Sequence, residues 1–179
     1  MKDQRKVLGE ERRELLLQLL KEKGEPITGS ELASITNVSR QVIVGDITLL
    51  KAKGEPIIAT SQGYMLLIQG GPHTTIVERI IASYHPPERT EEELNLLVDH
   101  GITVKDVKIE HPVYGDLTAS VMVSNRKEVV QFMKKIKSTK ASYLSELTGG
   151  IHLHTISAAT NEKLDEAVEA LKRANFWIE

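Results

Sequence analysis

Residues 149–156 read Gly-Gly-Ile-His-Leu-His-Thr-Ile, and they hold the most chemically specific spacing in the chain. Along a strand, side chains two apart share a face, so His152 and His154 stand roughly 6.5–7 Å apart at the backbone. Two imidazoles at that separation can close on one metal ion. They can equally be solvated on a polar sheet face. A metal needs further ligands, and the chain has no cysteine, so nitrogen and oxygen must supply them. His85 precedes Pro86-Pro87, and Glu93 follows eight residues later at the start of a helix. A sharp turn at the prolines would aim both at one point. Three imidazoles and a carboxylate suit zinc, nickel, iron or manganese, with room for water or an organic ligand. Glu93 has a competing use, because it stands three residues after Thr90 in capping-box spacing. His111, beside Pro112 and Tyr114 in a tight turn, is the next candidate for touching a ligand; His73 and His100 rank lower.

The elements that must position these residues alternate. Thr75–Tyr84 is rich in Ile and Val and reads as a strand, stopped by the prolines. A helix follows over Glu88–His100, with Leu94, Leu97 and Val98 on one face. Ile102–Glu110 and Leu117–Val123 read as strands around the turn Val113–Asp116. Asn125 caps a helix running to Lys137. The histidine strand lies within Leu144–Ile156, and a last helix from Thr160 turns Leu164, Ala167 and Leu171 inward. The order βαββαβα packs most simply as an open two-layer α/β sandwich with helices on one face. In that layout His152 and His154 are expected on the uncovered face, with Ile151 and Leu153 under the helices.

The first part of the chain has another character. Glu10–Glu22 carries Leu15, Leu16, Leu19 and Leu20 at helical spacing and ends at Gly24. Thr28 with Glu31 opens a short helix over Ser30–Ile35. After Asn37-Val38, Ser39 is a fitting N-cap for a third helix from Arg40 to Lys51 with Ile43, Ile47 and Leu50 apolar. Ile57–Thr60 and Tyr64–Ile68 form a hairpin around Ser61-Gln62-Gly63. This is the order of a winged helix-turn-helix. Ser39, Arg40, Gln41 and Val42 open its recognition helix. Arg40 can pair with guanine, Gln41 with adenine, and Val42 can meet a thymine methyl or pack inside. Lys51, Ser61 and Gln62 can meet phosphates.

The Gly/Pro cluster Gln69-Gly70-Gly71-Pro72 marks the boundary, giving a DNA-binding domain at 1–70 and a regulatory domain at 71–179. All six histidines lie beyond it. The first 70 residues hold 10 Lys or Arg against 9 Asp or Glu, and the remainder 13 against 16. The absence of cysteines, of a long apolar run and of an apolar N-terminus predicts a cytoplasmic protein with no membrane contact.

The motifs Val38-Ser39-Arg40-Gln41-Val42-Ile43-Val44, His85-Pro86-Pro87-Glu88, Glu110-His111-Pro112-Val113-Tyr114-Gly115 and Gly149 to Ile156 resemble those of the niacin-responsive transcriptional repressors. The similarity runs from about Arg12 to Ile178. It implies a divalent metal, zinc or nickel foremost, held by His85, Glu93, His152 and His154. It further implies nicotinic acid as co-repressor, with His111, Tyr114, Gly149 and Gly150 as candidate contacts, and repression of genes for NAD biosynthesis or niacin uptake. A homodimer on a palindromic operator completes the expectation. Gly45 departs from the family pattern, which has a longer polar side chain there. Two other readings stay open on the residues alone: a metal-responsive repressor, and a metal-dependent hydrolase fused to a DNA-binding module.

Overall fold

Helix boundaries follow the side chains that close their first turns. In the computed structural model, which describes residues 8–67 and 76–178, helices α2 (Gly29–Thr36) and α3 (Arg40–Ala52) follow Thr28 and Ser39. Each cap oxygen accepts from the backbone amide three residues on, Glu31 and Val42 respectively. Asn37, at φ 52°, makes the left-handed turn between the two helices. Helix α1 (Gly9–Lys23) ends at Gly24, also left-handed. Strands β1 (Ile57–Thr60) and β2 (Gly63–Leu66) pair antiparallel as the wing, and Ile27 bridges to Tyr64. Leu16, Leu20, Leu32, Ile43, Ile47 and Leu50 form one buried cluster. Below it, Arg12 Nε donates to Asp46 Oδ2 at 2.6 Å and ties α1 to α3.

The chain divides into two compact units, Met1–Pro72 and His73–Glu179. The linker residues 69–72, His73, the expected strand start at Thr75 and the wing end at Ile68 lie outside the described residues.

The second unit runs β3 (Val77–Tyr84), a 3-10 turn at Pro87–Arg89, α4 (Thr90–Asp99), β4 (Thr103–His111) and β5 (Gly115–Val123). Then come α5 (Arg126–Thr139), a 3-10 turn at Leu144–Thr148, β6 (Ile151–Ala158) and α6 (Asn161–Arg173). The four strands form one antiparallel sheet in the order β3-β6-β4-β5. Leu94 and Leu97 of α4, Val129 of α5, and Leu164 and Leu171 of α6 share a core with Ile81, Val104, Val123 and Ile156 of the sheet. Mixed α/β architecture is what the element order predicts.

The expected facing of β6 is reversed. His152 and His154 are 3% and 4% exposed, whereas Ile151 and Leu153 are 54% and 39% exposed. Strand parity explains the correction: His152 and His154 share a face with Ile156, which is wholly buried in the core. The histidines therefore point toward the helix layer. The apolar pair Ile151 and Leu153 lies on the uncovered face, with Ile80 and Tyr84 of the neighbouring strand.

Candidate functional site

Glu93 stands on the first turn of α4, fully buried and turned toward the sheet. Its Oε2 lies 2.8 Å from His85 Nε2 and 3.3 Å from the Nε2 of both His152 and His154. Three elements thus meet at one carboxylate oxygen: the end of β3, the start of α4 and β6. Atoms of His85, Glu93 and His152 all fall within 4.8 Å of one another, a spacing that can hold a metal ion. His154 joins them through Glu93 and through its ring, centred 4.8 Å from that of His152.

Each ring is held by its other nitrogen. His85 Nδ1–H donates to the Pro86 carbonyl at 2.8 Å, His152 Nδ1–H to Gly150 at 2.9 Å, and His154 Nδ1–H to Asp106 at 2.6 Å. A carbonyl can only accept, so the hydrogen is on Nδ1 in all three, and Nε2 carries the lone pair unless it too is protonated. This is how proteins fix imidazoles for metal binding. The third of these bonds lies at an irregularity in β4, where the pairing register with β6 shifts between Val104 and Lys108. The shift brings the Asp106 carbonyl to His154 while its carboxylate accepts from Thr155 N–H at 2.9 Å.

Burial works against the Glu93 charge, but the charge of His154 and the hydrogen bonds from the three imidazoles hold its carboxyl well below the usual range. Burial likewise opposes charge on His85, yet the bond to Glu93 and its negative charge raise the imidazole pKa. The same contest, with the Glu93 charge prevailing over burial, raises His154. The cluster holds positive charge against a buried carboxylate, a position that protons or a metal cation can fill. Glu93 Oε1 is buried with no hydrogen-bond partner among the described residues. His85, Glu93 and His152, with a spare carboxylate oxygen, could hold a metal ion, and His154 reaches the group through Glu93 Oε2. Glu93 makes no capping bond: α4 has no side-chain cap.

Beside the cluster lies a cavity of about 190 Å³. His85, Glu93, His152 and His154 form one wall, and Val107, Val121 and Phe132 an apolar one. Tyr143 and Ser145, at the second 3-10 turn, line it further. Among the described residues no lysine or arginine does.

The candidate ligand contacts fall elsewhere. His111 and Tyr114 stack at 5.0 Å on the β4–β5 turn, where the amides of Val113 and Tyr114 donate to His111 Nδ1. Gly149 and Gly150 shape the backbone, both at positive φ. A side chain on Gly150 would press within 2.6 Å of the His85 carbonyl oxygen. None of the four lines the cavity. His100 binds its own helix, Nδ1–H donating to the Leu96 carbonyl at 2.8 Å. Ser142, Tyr143 and Ser145 carry no motif, and only the fold brings them here.

In the first unit, Ser39 caps α3, Gln41 and Lys51 are exposed, and Val42 is half-buried. The Arg40 side chain runs past Gly29 at the start of α2. Ser61 and Gln62 occupy the wing turn, where Gln62 N–H donates to Thr60 Oγ1 at 3.1 Å.

Residues 12–65 match an HTH domain and residues 78–179 match the 3H domain. The chain is 58% identical over 178 residues to the transcription repressor NadR of Bacillus subtilis, covering 99% of both chains. It is 40% identical over 174 residues to a probable transcription repressor, NiaR, of Thermotoga maritima, covering 97% of both. The chain belongs to the 3H-domain transcription repressors. It is the family that the motifs resemble. The repressor binds DNA through its N-terminal unit and is not an enzyme, so the hydrolase reading falls. Among the described residues no helix is long and apolar enough to cross a membrane.

In the repressor, Gly150 sets the distance between β6 and the backbone of His85. Gly150→Ala is expected to destabilise the C-terminal unit by about 2–4 kcal/mol, from positive-φ strain and the overlap together. Chemical denaturation would register this as a lower unfolding midpoint, and an unchanged midpoint would contradict it.

Proposed function

We propose that the repressor controls genes of NAD biosynthesis or niacin uptake, with nicotinic acid as co-repressor bound beside a divalent metal. The observation that carries this reading is the convergence of three Nε2 atoms on Glu93 at the edge of a partly open, largely apolar cavity. His85, Glu93, His152 and His154 would hold the metal. When bound, the ion supplies a positive centre for a carboxylate or a pyridine nitrogen.

Charge balance favours an acid as the ligand. A dication beside the Glu93 carboxylate leaves one uncompensated positive charge in a cavity that no lysine or arginine among the described residues lines. A monocarboxylate neutralises it; the corresponding amide does not, and leaves a buried charge unpaired. Val107, Val121 and Phe132 offer an apolar surface to a flat ring. Thr90 Oγ1, buried without a partner among the described residues, is a hydroxyl donor for the ligand. His111, Tyr114, Gly149 and Gly150 then act from outside the cavity, the two glycines by placing β6.

A homodimer fits the same reading. One helix-turn-helix reads a half-site, and a two-fold operator calls for two. Ile80, Tyr84, Ile151 and Leu153 make an apolar patch on the uncovered sheet face that a second copy could cover. Lysines at Ile80 and Leu153 are expected to yield a monomer in sedimentation equilibrium and to weaken operator binding. A dimer that survives both would place the interface elsewhere.

The co-repressor reading is tested by operator titration in gel shift. Nicotinate is expected to tighten binding by about 5–150-fold, the range of ordinary allosteric coupling. Chelation, His152→Ala or Glu93→Ala should each abolish that gain, and nicotinamide should give at least about tenfold less response at equal concentration. Operator affinity indifferent to nicotinate would overturn the proposal. Affinity that follows the metal but not nicotinate would make the metal itself the signal.

A further inference from the structure

The glycine in the middle of α3 has no purpose inside the protein. Ile43, Asp46, Ile47 and Leu50 form the buried side of this helix. At about 100° per residue, the line opposite runs through Gln41, Gly45, Thr48 and Ala52, and all four are exposed. Gly45 is outside the positive-φ glycines, so its conformation suits any residue. A Cβ placed there meets nothing within 4 Å, so packing does not require its absence. Apart from proline, glycine is the least favourable residue in a helix interior. A glycine that neither backbone nor packing demands, on the outward line of a recognition helix, suits close approach to a ligand.

The neighbours of Gly45 share its low, apolar profile. Thr48 commits its hydroxyl to the Val44 carbonyl at 2.8 Å, which leaves its methyl group as the surface it offers. Leu49, beside it, is 51% exposed. Gln41 is the one residue on the outward line whose side chain presents an amide. A polar reader followed by a shallow apolar step matches one arrangement in the major groove, an adenine to hydrogen-bond and a thymine methyl to cover.

We propose that α3 reads its half-site by close backbone approach, with Gly45 and Thr48 seating the 5-methyl group of a thymine and Gln41 pairing with a neighbouring adenine. The proposal rests on the DNA-binding role of the N-terminal unit. The missing side chain at Gly45 is then a means of recognition rather than a lost contact.

The test uses the full-length repressor and an operator it selects from random duplexes, with each thymine replaced in turn by deoxyuridine. Losing one buried methyl is expected to weaken binding about fourfold at one or two positions per half-site. Gly45→Ala should raise the unfolding midpoint by roughly 2–8 °C and weaken operator binding about tenfold or more, an effect that shrinks on the duplex lacking the sensitive methyl. Gln41→Ala should relax the preference at one A·T pair next to that position. Two results would overturn the proposal: uridine costing less than about 1.5-fold at every position, or Gly45→Ala stabilising the protein with operator affinity intact. A wild-type protein that selects no sequence refutes the DNA-reading role itself, and the proposal with it.

Discussion

A buried carboxylate cannot remain charged in a protein interior unless positive charge meets it there. Glu93 imposes that constraint on the second unit of the repressor. It is fully buried, and its Oε2 is met by three imidazoles from two other elements. The end of β3 must therefore reach α4, and β6 must turn its histidines toward the helices. Gly150 lets the start of β6 close on the His85 backbone, where a side chain would not fit. The shift in the β4–β6 pairing between Val104 and Lys108 serves the second requirement, because the Asp106 carbonyl within it holds His154. Even the apolar uncovered face follows, since burying the even-numbered residues of β6 exposes Ile151 and Leu153.

The same constraint connects stability to ligand chemistry. Protonated His85 and His154 can balance Glu93, and a bound metal cation would substitute for those protons. This cluster brings its charged groups to a cavity that Val107, Val121 and Phe132 also line. A small aromatic acid meets both requirements of such a space, a flat apolar surface and one compensating negative charge. Regulation and folding would then draw on one set of residues.

Much of this was legible in the sequence, for reasons that lie in particular residues. Thr28, Ser39 and Asn125 announce their helices because a cap is local chemistry, settled within four residues. His85, Glu93, His152 and His154 were legible as a set through residue type and the double proline. The facing of β6 is not what Ile151 and Leu153 suggest, because Ile156 shares the histidines' parity and is the residue the core buries. Tyr143 and Ser145 were invisible, since they reach the cavity only through a short 3-10 turn that no periodicity marks. The motif around His111 and Tyr114 is rare in sequence, yet it forms an exposed turn outside the cavity.

Three imidazoles and Glu93 would hold a metal that the co-repressor then meets. X-ray absorption at the metal edge of the purified repressor, before and after nicotinate, tests it most directly. The account predicts a first shell of three imidazole nitrogens at about 2.0–2.1 Å with one carboxylate oxygen, and a change in that shell when nicotinate is added. A shell with fewer than two imidazoles, or one that nicotinate leaves unaltered, would contradict it.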